Sequence, residues 1–244
     1  YGVVGGGPMM GPLLTDLSGY ITKKDKGFII LKKDHPLIKR KSYTFDQARR
    51  INRSACEQCR MCTDLCPRYL LGHNMQPHKM MRVLSYAPDD IQAQLPASLC
   101  CQCNLCEYFS CPANLHPRLT NAIFKQNMAE AKVRYQPTET EFHVRDARKY
   151  RLVPSKRLVA RLGLREFDQP APWTEETITP AEVHIATSQH VGAPAVPVVS
   201  TGDRVTAGQL IGKVPDGALG APIHASVSGT VSACGNDFIV IRMG

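Results

Sequence analysis

Apolar and polar positions change period several times along this chain, and each change marks an element. Tyr1-Gly2-Val3-Val4 and Phe28-Ile29-Ile30-Leu31 are short apolar runs, which read as strands, the second as a buried one. Residues 1–43 therefore read as strands and turns. From 44 to 135 the period lengthens to that of helices. Thr44 or Asp46 can cap a first helix that runs through Arg53. Pro77 opens a second helix over His78-Lys79-Met80-Met81-Arg82-Val83-Leu84. After Pro117, residues 118–133 carry Leu119, Ala122, Ile123 and Met128 on one stripe, which predicts a long helix with one buried face. Residues 136–180 read as a linker with one short helix. There Ser155 is placed to cap residues 156–162, and Gly163 to end them. Gln169-Pro170-Ala171-Pro172-Trp173 reads as stiff and extended. From 181 to 244 apolar residues alternate and glycine recurs, the mark of β-structure. The expected fold class is α+β and multidomain: a helical domain followed by an all-β one.

Eight of the ten cysteines fall in the helical part, in two runs that each end in Cys-Pro. The first is Cys56-x2-Cys59-x2-Cys62-x3-Cys66-Pro67 and the second Cys100-x2-Cys103-x2-Cys106-x4-Cys111-Pro112. Three cysteines two residues apart can give thiolates to three irons of one cubane. The fourth iron faces away, and in two-cluster ferredoxins the Cys before Pro serves the other cluster. This assigns Cys56, Cys59, Cys62 and Cys111 to a first [4Fe–4S] cluster, and Cys66, Cys100, Cys103 and Cys106 to a second. The crossed ligands would hold the clusters close together. Pro67 and Pro112 turn the chain away after each fourth ligand. The 33 residues between the runs (67–99) suit an α-helical dicluster ferredoxin. The second run has one residue more before its last cysteine, and Cys101 beside Cys100 is an alternative ligand. Structural zinc is a weaker reading, since it usually takes separated CxxC pairs. Ten cysteines in 244 residues lie below the density of a disulfide scaffold. Cys234, far from both runs, reads as a small packed residue.

Composition adds charge. The net charge is +9, with local runs at Lys23-Lys24, Lys32-Lys33 and Lys39-Arg40-Lys41. No nucleic-acid motif accompanies it. A cationic surround would offset the negative charge of thiolate-ligated clusters, and a basic face could dock an acidic or phosphate-bearing partner. No apolar run approaches the roughly 18 residues of a transmembrane helix. Cluster thiolates require a reducing compartment, which points to the cytoplasm. Gly5-Gly6-Gly7-Pro8-Met9-Met10-Gly11 matches neither a Walker nor a dinucleotide fingerprint and reads first as a tight turn. Met75, Met80 and Met81 read as packing residues, as do His73, His78 and His116, or else as surface. In the β-rich part, Gly202-Asp203-x-Val205-x2-Gly208-Gln209-x-Ile211 and the run from Ala221 to Val231 resemble a biotinyl/lipoyl-type barrel-sandwich hybrid. Lys213 lacks the Met-Lys-Met setting of a carrier lysine, so a structural or docking module is expected.

Gly6-Gly7-Pro8-Met9-Met10-Gly11, the double cysteine run, the Pro154 to Pro172 segment, His190-Val191-Gly192-Ala193-Pro194-Ala195 and Ala221-Pro222-Ile223-His224-Ala225-Ser226-Val227-Ser228-Gly229-Thr230-Val231 together resemble the RnfC-like family of the Rnf electron-transport complex and its relatives. The resemblance covers nearly the whole chain. Here the barrel-sandwich part follows the clusters, the order of the propanediol-utilisation cobalamin reductases, so that branch is the nearer likeness. The resemblance implies that the chain is the C-terminal part of a longer protein, and that residues 1–43 end an upstream flavin/SLBB region. It implies FMN on that upstream flavin domain, NADH and corrinoid as substrates, and electrons passed singly through the clusters toward cobalt. A cobalamin adenosyltransferase and a microcompartment shell protein are the implied partners, with a bacterial microcompartment as the setting. No catalytic residue for hydride chemistry is expected within the chain. The rival readings are a peripheral NADH-oxidising component of a membrane Rnf-type complex and a module in which clusters only stabilise the fold.

Overall fold

The computed structural model describes residues 1–137, 140–176 and 178–244. The chain divides into two compact units: Tyr1–Leu14 with Phe28–Pro170, and Thr15–Gly27 with Ala171–Gly244.

The first unit opens with a three-stranded antiparallel sheet of β1 (Gly2–Gly5), β2 (Leu13–Leu14) and β3 (Phe28–Leu31), in the order β2-β1-β3. β3 buries only one face. Leu31 points inward, whereas Ile30 is 63% exposed, so the expectation of a buried strand holds for alternate residues only. Helix α1 (Pro36–Lys41) follows, an element the sequence pattern hides among strands and turns. Its cap is the imidazole of His35, which accepts the Leu37 N–H, and histidine is not one of the usual capping residues. Val4, Leu31, Leu37, Ile38, Tyr108 and Leu162 form the core beneath this sheet.

The glycine-rich loop is a closed turn. Gly11 N–H donates to the Gly7 carbonyl at 2.9 Å and Gly5 N–H to the Pro12 carbonyl at 3.0 Å. A Cβ at Gly11 would lie 2.6 Å from the Gly7 carbonyl oxygen and nearer still to that of Gly5, so the close approach needs glycine. The Lys41 ammonium donates to the Gly11 carbonyl at 2.6 Å, and the Asn104 amide to that of Met9 at 2.5 Å.

Helices α2 (Phe45–Ala55), α3 (Met61–Asp64), α4 (Pro67–Leu70), α5 (Pro77–Tyr86), α6 (Ile91–Gln94) and α7 (Pro117–Glu130) carry the cysteine runs between them. Thr44 and Gln47 close a reciprocal capping box on α2. Met75, Met80, Leu84, Phe124 and Met128 pack together with Ala97 and Cys66. The buried face of α7 is Thr120, Asn121, Phe124 and Met128, while Leu119, Ala122 and Ile123 are only half-buried. This corrects the apolar stripe. Thr120 turns inward because Asn52 of α2 offers partners there: its amide donates to the His116 carbonyl (3.0 Å) and the Thr120 hydroxyl (2.9 Å) and accepts the His116 N–H (2.9 Å); nothing in the structure explains why Asn121 is buried beside it. α7 also stops at Glu130, before residue 133. Lys132 turns left-handed, and the Val133 N–H closes back onto the Met128 carbonyl. Helix α8 (Ser155–Arg161) begins on Ser155, whose side chain makes no cap bond. Gly163 ends it at φ +73°, as expected. Leu158, Leu162 and Leu164 lay this segment on the core beneath the sheet, so it is packed structure.

The second unit is β-rich: β4 (Glu182–Ala186), β5 (Val196–Pro197), β6 (Arg204–Val205), β7 (Leu210–Lys213), β8 (Ile223–His224), β9 (Gly229–Cys234) and β10 (Phe238–Arg242). They form two antiparallel sheets, β4-β10-β9-β6 and β5-β7-β8. Ile211, Ile223, Val231, Ile239 and Ile241 fill the space between them. Gly202 takes φ +96° at a turn where the Asp203 carboxylate accepts the Ser200 N–H. Lys213 lies within β7 opposite Val196, not on a hairpin tip. Cys234 is half-buried, and its thiol donates to the Val199 carbonyl. The segment Thr15–Gly27 packs with this unit. Tyr20 stacks on His184 with centroids 4.2 Å apart, and the Lys23 N–H donates to Gln189. Among the described residues no helix is long and apolar enough to cross a membrane.

Two substitutions test this packing. Ile239→Ala removes a fully buried side chain between the sheets and is expected to cost roughly 2–5 kcal/mol in chemical unfolding of the full chain. Gly11→Ala is expected to cost about 1–3 kcal/mol, whereas Gly7→Ala, with open space around it, should stay within about 0.5 kcal/mol. Equal losses at the two glycines would contradict the closed turn.

Candidate metal centre

The two cysteine runs fold as one loop used twice. Gln58 and Gln102, each two residues after the first cysteine, take φ +54° and +58°, and Arg60 and Asn104 take +65° and +64°. Left-handed backbone costs a non-glycine residue on the order of 1 kcal/mol. Two matched positions of this kind bend each loop around its own thiols. The correspondence extends to Cys66 (φ −71°, ψ 119°) and Cys111 (φ −73°, ψ 116°). The extra residue of the second run is taken up by a π-helix, Leu105–Ser110, where the first run has α3.

Both loops supply donors to sulfur. The Gln58 side chain donates to Cys56 Sγ at 3.3 Å. Gln102 donates to Cys100 Sγ through its N–H (3.4 Å) and its side chain (3.5 Å), and Leu115 N–H donates to Cys111 Sγ (3.3 Å). These bonds put Cys100, not Cys101, in the position equivalent to Cys56.

The structure gathers the predicted ligands around two cavities. One is lined by Cys56, Cys59, Cys62 and Cys111, with Met81, Leu115, Arg60 and His78. The other is lined by Cys66, Cys100, Cys103 and Cys106, with Cys101, Asn104 and Arg118. Each cavity thus has three cysteines of one run and the Cys-Pro cysteine of the other. Among the described residues no three His, Cys, Asp or Glu side chains converge as a site for a single ion. The thiols ring a space instead of meeting at a point. Cys62, Cys66, Cys106 and Cys111 are buried, and Cys59 is exposed.

Burial opposes ionisation here. It pushes the Cys62 thiol up to about 12, helped by the neighbouring Cys111, Cys56 and Cys59, and the Cys66 thiol up to about 11. Cys103 rises to about 12 and Cys106 well above its ordinary value, again chiefly through burial. Cys100 rises too, through burial, against the pull of the Gln102 N–H and then of the Lys125 and Arg118 cations. Such thiols give up their protons when positive charge sits among them. The donor set fits an iron–sulfur cube: soft sulfur ligands, amide donors aimed at those sulfurs, and a buried Arg118 Nε with no acceptor in the protein. An anionic sulfur-rich group in the cavity that Arg118 lines can satisfy that donor.

Sequence reasoning missed several residues. Gln58 and Gln102 could have been found as the repeated residue inside both CxxC pairs. Glu107 had no signal. Its carboxylate accepts the Leu119 N–H (3.2 Å) and pairs with His116 Nδ1 (3.1 Å), tying the second run to α7. His116 and His78 pack, as expected: His116 lies against Tyr43 and His78 bonds the Thr63 hydroxyl. His73 lies against Phe142.

Comparison with known proteins agrees with both parts. Residues 55–116 match the 4Fe-4S dicluster domain, and residues 171–241 the RnfC barrel sandwich hybrid domain. Cobalamin reductase PduS of Salmonella typhimurium is 43% identical over all 244 residues, which cover 54% of that protein. PduS of Citrobacter freundii is 39% identical, also over the whole chain and 54% of its own length. The C component of the Na(+)-translocating ferredoxin:NAD(+) oxidoreductase complex of Acetobacterium woodii is 50% identical over 54 residues, 22% of this chain and 12% of that protein. The chain spans about half the length of the curated relatives it matches along its whole length. The chain thus has a helical region that matches the 4Fe-4S dicluster domain, followed by a β-rich region that matches the RnfC barrel sandwich hybrid domain, and it is similar throughout to cobalamin reductase PduS and in part to the C components of ion-translocating complexes.

Proposed function

We propose that this chain is the electron-transfer part of a flavin-dependent NADH:cob(III/II)alamin reductase. Cys56, Cys59, Cys62 and Cys111 would hold one [4Fe–4S] cluster, and Cys66, Cys100, Cys103 and Cys106 the other. The observation that carries the reading is the exchange of Cys66 and Cys111 between the two cavity linings. When bound, such clusters accept and release electrons one at a time, which suits passage from a two-electron donor to cobalt.

The chain's own residues supply the rest. The left-handed positions orient the thiols, and the glutamine amides and Leu115 N–H bond to sulfur. Met81, Leu115, Pro112 and Pro117 limit water at the first site. Cys59 is the most exposed of the eight and marks the first site as the one that reaches solvent. In the loop at residues 5–11 the Gly5 and Gly11 N–H groups, donors of the kind a flavin phosphate needs, are committed to the Pro12 and Gly7 carbonyls. We therefore place FMN, and acceptance of hydride from NADH, on a flavin domain of the full-length protein. Corrinoid is the proposed electron acceptor and a cobalamin adenosyltransferase the proposed recipient of the product, in the cytoplasm and within a microcompartment. Whole-length identity to PduS favours this over a peripheral Rnf component, since the matched Rnf-type relatives align over 22% to 28% of the chain.

Anaerobically purified protein is expected to contain about eight irons and eight sulfides per chain. Its reduced EPR spectrum should show magnetic interaction between neighbouring centres. Stoichiometric zinc without sulfide would end the proposal. Cys100→Ser should lower iron to about four per chain, whereas Cys101→Ser should leave about eight; the reverse result would make Cys101 the ligand. For the whole protein, NADH-dependent corrinoid reduction is the direct assay, and transfer only to membrane partners would support the Rnf alternative.

A further inference from the structure

The two cysteine sites share a backbone but not a charge environment, and the difference comes from α7. Pro117 and Arg118 are its first two residues, so the helix directs the positive end of its dipole at this region. Arg118 lines the second cavity, and its Nε is buried with no acceptor in the protein. Seven residues on, close to the same face of the helix, the Lys125 ammonium donates to the Cys100 carbonyl at 2.7 Å. Both cations thus belong to the second site. Glu107, beside Cys106, bonds the Leu119 N–H and His116 at the helix end and is the carboxylate that opposes these cations there.

The first cavity shares the helix start, since Pro117 lines it, but neither α7 cation does. The cation in its lining is Arg60, whose side chain is 52% exposed and which pairs with Asp64 at 3.9 Å; Arg40, within electrostatic reach of Cys111, gives its guanidinium to the Glu107 and Tyr108 carbonyls. Water and the Asp64 carboxylate screen Arg60. His78, also in that lining, is engaged with the Thr63 hydroxyl at 2.7 Å. A charge acts more strongly where water is excluded, so Arg118 outweighs Arg60 in its effect on its own site.

We propose that Arg118 is the residue that separates the two sites electrically: its guanidinium donates to the anionic group held by Cys66, Cys100, Cys103 and Cys106, and keeps that site easier to reduce than the one held by Cys56, Cys59, Cys62 and Cys111. The inference rests on reading both cavities as [4Fe–4S] sites. Reduction adds one electron and no proton, and the fixed guanidinium charge offsets it. Arg118 acts as a tuning residue, and the second site becomes the lower-energy station for an electron.

The test is an EPR-monitored redox titration of the full-length protein, purified anaerobically, as wild type, Arg118→Gln, Arg118→Lys and Arg60→Gln. Arg118→Gln should lower one of the two midpoint potentials, with the reduced-to-oxidised ratio at fixed potential falling about tenfold, or about 59 mV for one electron. The other potential should hold, and Arg118→Lys should recover most of the shift. Arg60→Gln should move neither potential by as much. With about eight irons present, unchanged potentials in Arg118→Gln, or equal shifts of both, would overturn the role of Arg118 and leave the two-cluster reading standing. If Arg118→Gln retains only about four irons, recovery of iron and potential in Arg118→Lys supports the charge role. Iron loss in both variants makes Arg118 a packing residue. Absence of iron from the wild type refutes the underlying reading instead.

Discussion

Thiols crowded together inside a protein do not ionise readily. Burial and mutual repulsion raise Cys62, Cys66, Cys103 and Cys106, and the structure around them answers that constraint. Two loops accept left-handed backbone at Gln58, Arg60, Gln102 and Asn104 to bring sulfur atoms round a common space. Amide and backbone donors then aim at those sulfurs. Helices α2, α5 and α7 exist, in effect, to hold the loops: Asn52 ties α2 to α7, and Glu107 with His116 ties the second run to α7. Such an arrangement is stable with positive charge at its centre, which is what iron supplies.

The exchange of Cys66 and Cys111 gives the arrangement its second property. Neither run can complete a four-thiol set alone, so full ligation of either site needs both runs folded against each other. Met75, Met80, Leu84, Phe124 and Met128 provide the apolar packing that fixes the span between the runs. The α7 cations then make two sites of similar backbone electrically unequal.

Much of this was legible in the sequence, for identifiable reasons. Cysteine spacing is discrete, so the register singles out eight thiols, and these line two cavities in the structure. Capping at Thr44, proline at Pro77 and Pro117, and glycine at Gly163 act locally, and each marked a real helix end. The misses share another cause: long-range partners. Thr120 of α7 turns inward because Asn52, 64 residues before His116, waits there. His35 caps α1 although histidine is a poor capping signal. The segment Thr15–Gly27 packs with the β-rich unit through Tyr20 and Lys23, which no local pattern announces. The extra residue between Cys106 and Cys111 was visible, but the π-turn that absorbs it was not.

Whether the eight cysteines enclose two iron–sulfur cubes is open to iron-edge X-ray absorption on the anaerobic full-length protein. Two cubes give an all-sulfur first shell and a clear iron–iron shell beyond it, and both are expected. A first shell with no metal–metal scattering, the signature of isolated ions, would refute the cubes.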